Sequence, residues 1–247
     1  MPSYLDYIKA FTDGLNDRYH RYASFDYCYS YFITHIGNAS SQENMSTSCF
    51  ILWSYLASWG MLRGSSLLLQ KNPHYLESLI IAIDSHHELF DEQYDFNHWN
   101  RKGVREKILK CYSDIEKLLH EVNPTCTLIT KIMLGVYGCL PALDTYFKMT
   151  FGIHTPNFND KVMLKIFNFV DNNGTPINLM AWNHKPLVRH YSTNKLIKDL
   201  HYTNCKMVDM YGFVRGMVLS NQSKDSHNSM NEDDILNKFK NGHLQEK

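Results

Sequence analysis

The chain has 247 residues, with 25 lysines and arginines balanced by 25 aspartates and glutamates and 44% apolar residues. That apolar supply fills a core of ordinary size, and the abundance of aromatics argues against wholesale disorder. A net charge of zero provides no broad positive field for a phosphate backbone, so duplex DNA is not an expected partner.

Apolar residues recur every three or four positions, and no Asn-Gly or Asp-Gly turn separates alternating runs. The expected fold is therefore all-α, a compact bundle of about eight helices with long central ones. A first helix is expected from Ser3, its cap, to about Leu15, with Tyr4, Ile8 and Phe11 on one stripe. A second runs from about Phe25 to Ile36 behind Ser24 and stops at Gly37. The third, about Glu43 to Gln70, contains the apolar stretch Cys49 to Leu69, which approaches the length of a bilayer span. Arg63, the serines and glycines around it and the lack of a lysine cluster at either end favour a buried helix of a soluble bundle, and no membrane association is expected.

Asn72 and Pro73 open a fourth helix, reaching about Glu92. A fifth covers about Gly103 to Val122, and Asn123-Pro124 opens a sixth that reaches about Cys139. There Pro141 removes a backbone donor and breaks the helix ahead of a short continuation through Phe147. Asn159 caps a helix from Asp160 to about Val170, closed by Asn172, Asn173 and Gly174. After an irregular stretch through Pro176 and Pro186, a long last core helix is expected from Thr193 to Leu219. Residues 1–220 read as one helical domain and 221–247 as a polar, flexible tail. Within the tail, the Asn231 cap, an acidic first turn and Lys238, Lys240 and Gly242 outline a short helix at about 232–241, able to dock on the body or to capture a protein partner.

The six cysteines show neither metal-ligand nor paired disulfide spacing, so reduced, buried thiols are expected. The opening MPSYLDYIKAF has no secretion signature, which points to the cytoplasm.

Three stretches look familiar together: Arg21-Tyr22-x-Ser24 with Cys28-Tyr29-x-x-Phe32, the run Leu56 to Ser66 (LASWGMLRGSS), and Leu134-Gly135 followed by Gly138 to Phe147 (GCLPALDTYF). Over roughly residues 9–150 they resemble a family of bacterial hypothetical proteins. The resemblance implies a bacterial, cytoplasmic helical domain and carries over no catalytic role.

The candidate site rests on polar residues inside apolar helices. Arg63, Ser65 and Ser66 fall in the third helix, Lys131 in the sixth, and Asp144 just after the proline break. A buried guanidinium needs a carboxylate or a bound anion to offset its desolvation. Gly212-Phe-Val-Arg215-Gly216 repeats the form of Gly60-Met-Leu-Arg63-Gly64, so Arg215 is a second candidate. The plainer reading is an internal Arg63–Asp144 salt bridge with Arg215 exposed. In the functional reading these arginines, with Ser65, Ser66 and Lys131, converge on a small anionic ligand. Glycines at Gly60 and Gly64, and at Gly135 and Gly138, are expected to let the third and sixth helices pack closely.

Other features have plainer explanations. The acidic and histidine-rich run Asp84, His86, His87, Glu88, Asp91, Glu92, Asp95 and His98 has no recognised metal spacing and reads as a solvated helix face, so no metal is expected. Cys139, just before the Pro141 break, reads as a small buried thiol more readily than as a nucleophile. The first 32 residues hold seven tyrosines and three phenylalanines beside Arg18, His20 and Arg21. Core packing accounts for most of them, and a stacking platform for a nucleotide or a single strand is the alternative. No glycine-rich phosphate loop or dinucleotide fingerprint occurs, and no cofactor is expected.

The sequence thus points to a helical binding or regulatory module for a small anionic ligand or a protein partner, with homo-oligomerisation left open. The rival is an enzyme acting on a nucleotide or nucleic-acid phosphate, with Arg18, Arg21 and Arg63 as electrostatic stabilisers and Asp144 or a histidine as base.

Overall fold

A computed structural model describes residues 3–15, 17, 19–64, 66–172, 185–224 and 231–240. In chain order the helices are α1 (Tyr4–Gly14), α2 (Ser24–Thr34), α3 (Met45–Ser58), α4 (Glu77–Ser85) and α5 (Lys102–Leu118). They continue with α6 (Cys126–Tyr137), α7 (Thr145–Phe151), α8 (Asp160–Asn172), α9 (Asn204–Lys224) and α10 (Glu232–Lys240). Short 3-10 turns punctuate them. The fold is mainly all-α, as the apolar spacing requires.

Two helices form the centre. From Leu128 onwards α6 is buried on every side, and so is α9 from Asn204 to Val214. Helices wrapped in protein need no polar face, and these two carry almost none. Around them α2 packs on α3 and α6, α5 on α4, α6 and α8, and α1 and α7 on α9. Tail helix α10 docks on α1 and α9, burying Ile235 and Leu236 while Tyr7 donates to Glu232.

Two long expected helices are shorter. α3 ends at Ser58 rather than near Gln70, because Trp59-Gly60-Met61 closes it in a Schellman motif. Gly60, at φ +74°, donates to the Ala57 carbonyl at 3.0 Å, and Met61 donates to the Leu56 carbonyl at 2.8 Å. Gly64 turns the chain again at φ +60°. α4 ends at Ser85, and a 3-10 turn at His87–Phe90 takes the place of its expected last turns, with further 3-10 turns at Glu92–Tyr94 and Phe96–His98. Asp91 accepts from the Gln93 N–H of the second of these turns, and Asp95 from the Phe96 N–H of the third.

The largest departure lies at 187–201, where strands β1 (Leu187–Arg189) and β2 (Leu196–His201) pair antiparallel, with Leu187 opposite His201 and Arg189 opposite Leu196. The spacing of Leu196, Ile197, Leu200 and Tyr202 reads as helical, but Asn194 and Asp199 adopt φ +57° and +66°, which no helix continues through. The last core helix therefore starts at Asn204, eleven residues later than Thr193. Its first free N–H groups have a distant cap: Asp95 accepts from Asn204 at 2.7 Å and from Cys205 at 2.8 Å.

The expected contact between α3 and α6 forms. Gly135 of α6 meets the Tyr55 side chain of α3, with room for no methyl, since a Cβ there would lie 2.7 Å from the ring Cζ. The backbone-to-backbone approach belongs to α7 and α9, where a Cβ on Gly216 would meet the Tyr146 main chain, while Gly212 faces the Phe147 and Phe151 rings. Among the described residues, no helix is long and apolar enough to cross a membrane.

Candidate functional site

The sequence-derived site does not assemble. Arg63 is exposed in the turn after α3, where its guanidinium folds back over Gly60 instead of entering a helical core. Ser66 is half-buried at the start of the 3-10 turn Leu67–Gln70, and Ser65 and Arg18 lie outside the described residues. Asp144 caps α7, accepting from the Phe147 N–H at 2.9 Å, and no Arg63–Asp144 ion pair forms. Half-buried Arg215 donates to the Tyr211 hydroxyl and sits 6.0 Å from the Phe169 ring centre. For Arg63 and Ser66 the cause is Gly60 and Gly64, whose left-handed turns end α3 early and lead the chain away from the helical core.

Lys131 does lie inside, donating to the Trp59 carbonyl at 2.7 Å and closing one of the open acceptors at the end of α3. The buried charge that the sequence reading passed over is Lys206. It is 0% exposed and pairs at 2.8 Å with Asp209, itself 2% exposed, one turn further along α9. Its ammonium lies 4.4 Å from the Trp59 ring centre, 4.7 Å from Phe25 and 5.0 Å from Phe11, a cage of π faces around a desolvated cation. The other Asp209 oxygen accepts from the Ala142 N–H at 2.9 Å, tying α9 to the segment after Pro141. A Lys-x-x-Asp pair inside an otherwise apolar helix was the available signal.

A second buried carboxylate holds the hairpin. Asp26 of α2 accepts from the Tyr202 hydroxyl and from the Arg189 N–H, the latter at 3.0 Å. Burial pushes its pKa up from 3.8 to about 6, against the opposing pull of those two hydrogen bonds and of the Lys206 and Arg189 charges. Between these two values the folded chain holds a proton that the unfolded chain has released. The contribution of Asp26 to stability is therefore greatest on the acid side and falls as pH rises from about 4 to 6. Urea midpoints of the wild type and of Asp26→Asn, compared at pH 4, 5, 6 and 7, should show their difference drifting against the wild type across that window; a flat difference refutes the assignment.

The metal-like run is dispersed. Asp84 accepts from the Ser40 N–H at 2.7 Å, His86 contacts Asp114 at 3.1 Å, and Asp95 caps α9. Among the described residues no group of three His, Cys, Asp or Glu side chains is placed to hold a metal ion. All six cysteines are free and buried, and burial pushes the Cys139 thiol well above its ordinary pKa, so it is no thiolate at neutral pH.

What the fold does bring together is a cleft of about 440 Å³ between α2, α3 and the loops that flank them. The loop before α2 supplies Tyr19, His20 and Arg21, α2 supplies Ser24 and Tyr27, the hairpin supplies Tyr191, and α3 supplies Ser54 and Ser58. Seven of the ten early aromatics are core residues, so packing claims most of them; Tyr19, 76% exposed, and Tyr27 are left at the cleft. Arg21 is exposed, steered by the Tyr22 ring 4.6 Å from its guanidinium and by a 2.7 Å bond to the Tyr22 hydroxyl. His20 Nδ1 accepts from the Tyr22 N–H at 3.4 Å, so the neutral ring carries its proton on Nε2. Burial, then the neighbouring Arg21 charge, lowers its pKa and keeps it neutral.

The class that fold and cleft define is a mainly helical protein with an aromatic, cationic pocket. No known protein family, curated protein or solved structure gives a significant match to the chain.

Proposed function

We propose that the protein is a helical binding module for a small anionic ligand that carries a flat ring, such as a nucleoside phosphate. The observation that carries this reading is the cleft in which Arg21 and His20 stand among Tyr19, Tyr27 and Tyr191. Its volume of about 440 Å³ matches pockets that enclose small metabolites. Arg21 offers a forked donor to an oxyanion, the His20 Nε2–H a second donor, and the tyrosines a stacking surface. Bacterial, cytoplasmic residence belongs to the same proposal and rests on the family resemblance.

The rival reading, an enzyme acting on a nucleotide or nucleic-acid phosphate, draws support from a histidine beside an arginine. Against it, the His20 nitrogen that would take a proton already accepts one from the Tyr22 N–H, and neither Arg63 nor Asp144 lines the cleft. A partner captured through the tail would have to displace α10, whose Ile235 and Leu236 are buried against the body.

Thermal unfolding of the full chain against nucleoside monophosphates and inorganic phosphate tests the reading. At a ligand concentration 100-fold above Kd, native-state binding adds about 2.7 kcal/mol, or about 5–10 °C in Tm for a chain of this size. Exposed Arg21→Ala should leave the unliganded Tm unchanged and abolish the ligand shift. Equal shifts in both proteins, or none in either, would refute it.

A further inference from the structure

A second cavity, of about 420 Å³, lies between the hairpin and the turns that follow α4, and the reading above makes no use of it. Gly138 and Cys139 line it where α6 ends, with Tyr29, Phe90, Tyr137 and Tyr202 as aromatic lining. Four carboxylates, Asp91, Glu92, Asp95 and Asp199, face a single lysine, Lys185, and a single histidine, His201. Asp95 is committed to capping α9 and Asp91 to the Gln93 N–H, whereas Glu92 and Asp199 are exposed and form no ion pair with the described residues. The His201 Nδ1 donates to the Lys185 carbonyl at 2.8 Å, so the neutral ring turns a lone pair rather than a proton outward on Nε2.

An independent feature lies among these residues. Tyr29 is 4% exposed and lines the cavity, yet its hydroxyl makes no hydrogen bond with the described residues. Every other buried tyrosine hydroxyl of this lining is engaged: Tyr137 donates to the Ile83 carbonyl at 2.9 Å, and Tyr202 to Asp26. Asp95 and Cys139, both cavity residues, lie near enough to Tyr29 to act on its phenol. The Tyr29 hydroxyl opens onto the cavity with no partner among the described residues, so a ligand group placed there can complete its hydrogen bonding.

We propose that this cavity is a second ligand site, selective for a small organic cation: an ammonium or guanidinium group on an apolar body. The cation sits at the Glu92 and Asp199 carboxylates, the body lies against the aromatic lining, and Tyr29 hydrogen-bonds the buried end. The lining carboxylates are spread out rather than convergent, which suits an extended organic cation better than a metal ion.

Calorimetric titration of the full chain with tyramine, agmatine and spermidine tests this, with 4-hydroxyphenylacetate as the charge-reversed control. At least one amine should bind with an affinity that weakens with salt, and the carboxylate should not. The double variant Glu92→Gln/Asp199→Asn alters only exposed side chains, and asparagine tolerates the φ +66° of position 199, so the fold survives. It should bind about tenfold or more weakly. Tyr29→Phe should weaken binding severalfold without lowering Tm. Arg21→Ala should leave amine binding untouched, which keeps this site separate from the anion cleft. Binding of the carboxylate as tightly as the amines, no binding of any amine, or affinity unchanged in the double variant or in Tyr29→Phe overturns the proposal.

Discussion

Asp209→Ala is expected to lower the unfolding free energy by about 3–5 kcal/mol, the largest effect of any single side-chain truncation considered. The lost attraction is the smaller part of it. Lys206 is 0% exposed, and without Asp209 its ammonium would lose its ion-pair partner and keep three ring faces and the Asp26 carboxyl, with which it forms no ion pair. The Ala142 N–H, which now donates to Asp209 at 2.9 Å, would be stranded as well. Replacing both partners with apolar residues of similar bulk, Lys206→Met with Asp209→Leu, removes the charge problem and leaves only the stranded N–H. The double variant should therefore be more stable than the single one although it differs from the wild type at one more position. Urea unfolding of the three proteins decides the matter. A double variant as weak as Asp209→Ala would mean that shape, and not an unpaired charge, governs the site.

Gly216→Ala should cost about 3 kcal/mol, from one methyl group. An added Cβ would lie 2.7 Å from the Tyr146 Cα and nearer still to its carbonyl. Backbone cannot rotate aside as a side-chain tip can, so α7 and α9 would have to separate and loosen the contacts of Phe147 and Phe151 with α9. A control separates this from glycine chemistry in general. Gly103, in the first turn of α5, has nothing within 4 Å of its added Cβ, and Gly103→Ala should be neutral or stabilising by up to about 1 kcal/mol. Chemical denaturation of both variants gives the comparison, and similar values for the two would remove the case for close α7–α9 packing.

The two glycine-bearing segments also show how far the chain can be read unaided. Gly60 and Gly64 have the spacing of a smooth helix face, and the same residues serve as left-handed stops; spacing does not distinguish these roles, because both need only the absence of a Cβ. A helix-ending Trp-Gly-Met was legible as a cap, and taking it so would have moved Arg63 out of the core. The Lys206–Asp209 pair was equally visible as a one-turn spacing inside an apolar helix. The hairpin was not: Leu196, Ile197, Leu200 and Tyr202 satisfy a helical period, and only the pairing with Leu187–Arg189 and the hold of Asp26 select strands. Nor was the cleft, which gathers Arg21 and Tyr27, Ser54, and Tyr191 from three separate parts of the chain.

By itself the sequence determined the helical class, because apolar residues three and four apart can be buried together only on a helix, and because caps such as Ser3, Asn159 and Asn231 act within their own turn. The tertiary structure decided which charges are buried and what they face. Desolvation and ion pairing depend on neighbours far apart in the chain: Asp95 on α9, Asp26 on the hairpin, Phe11 and Trp59 on Lys206. Both cavities are products of that same long-range packing, which no local spacing records.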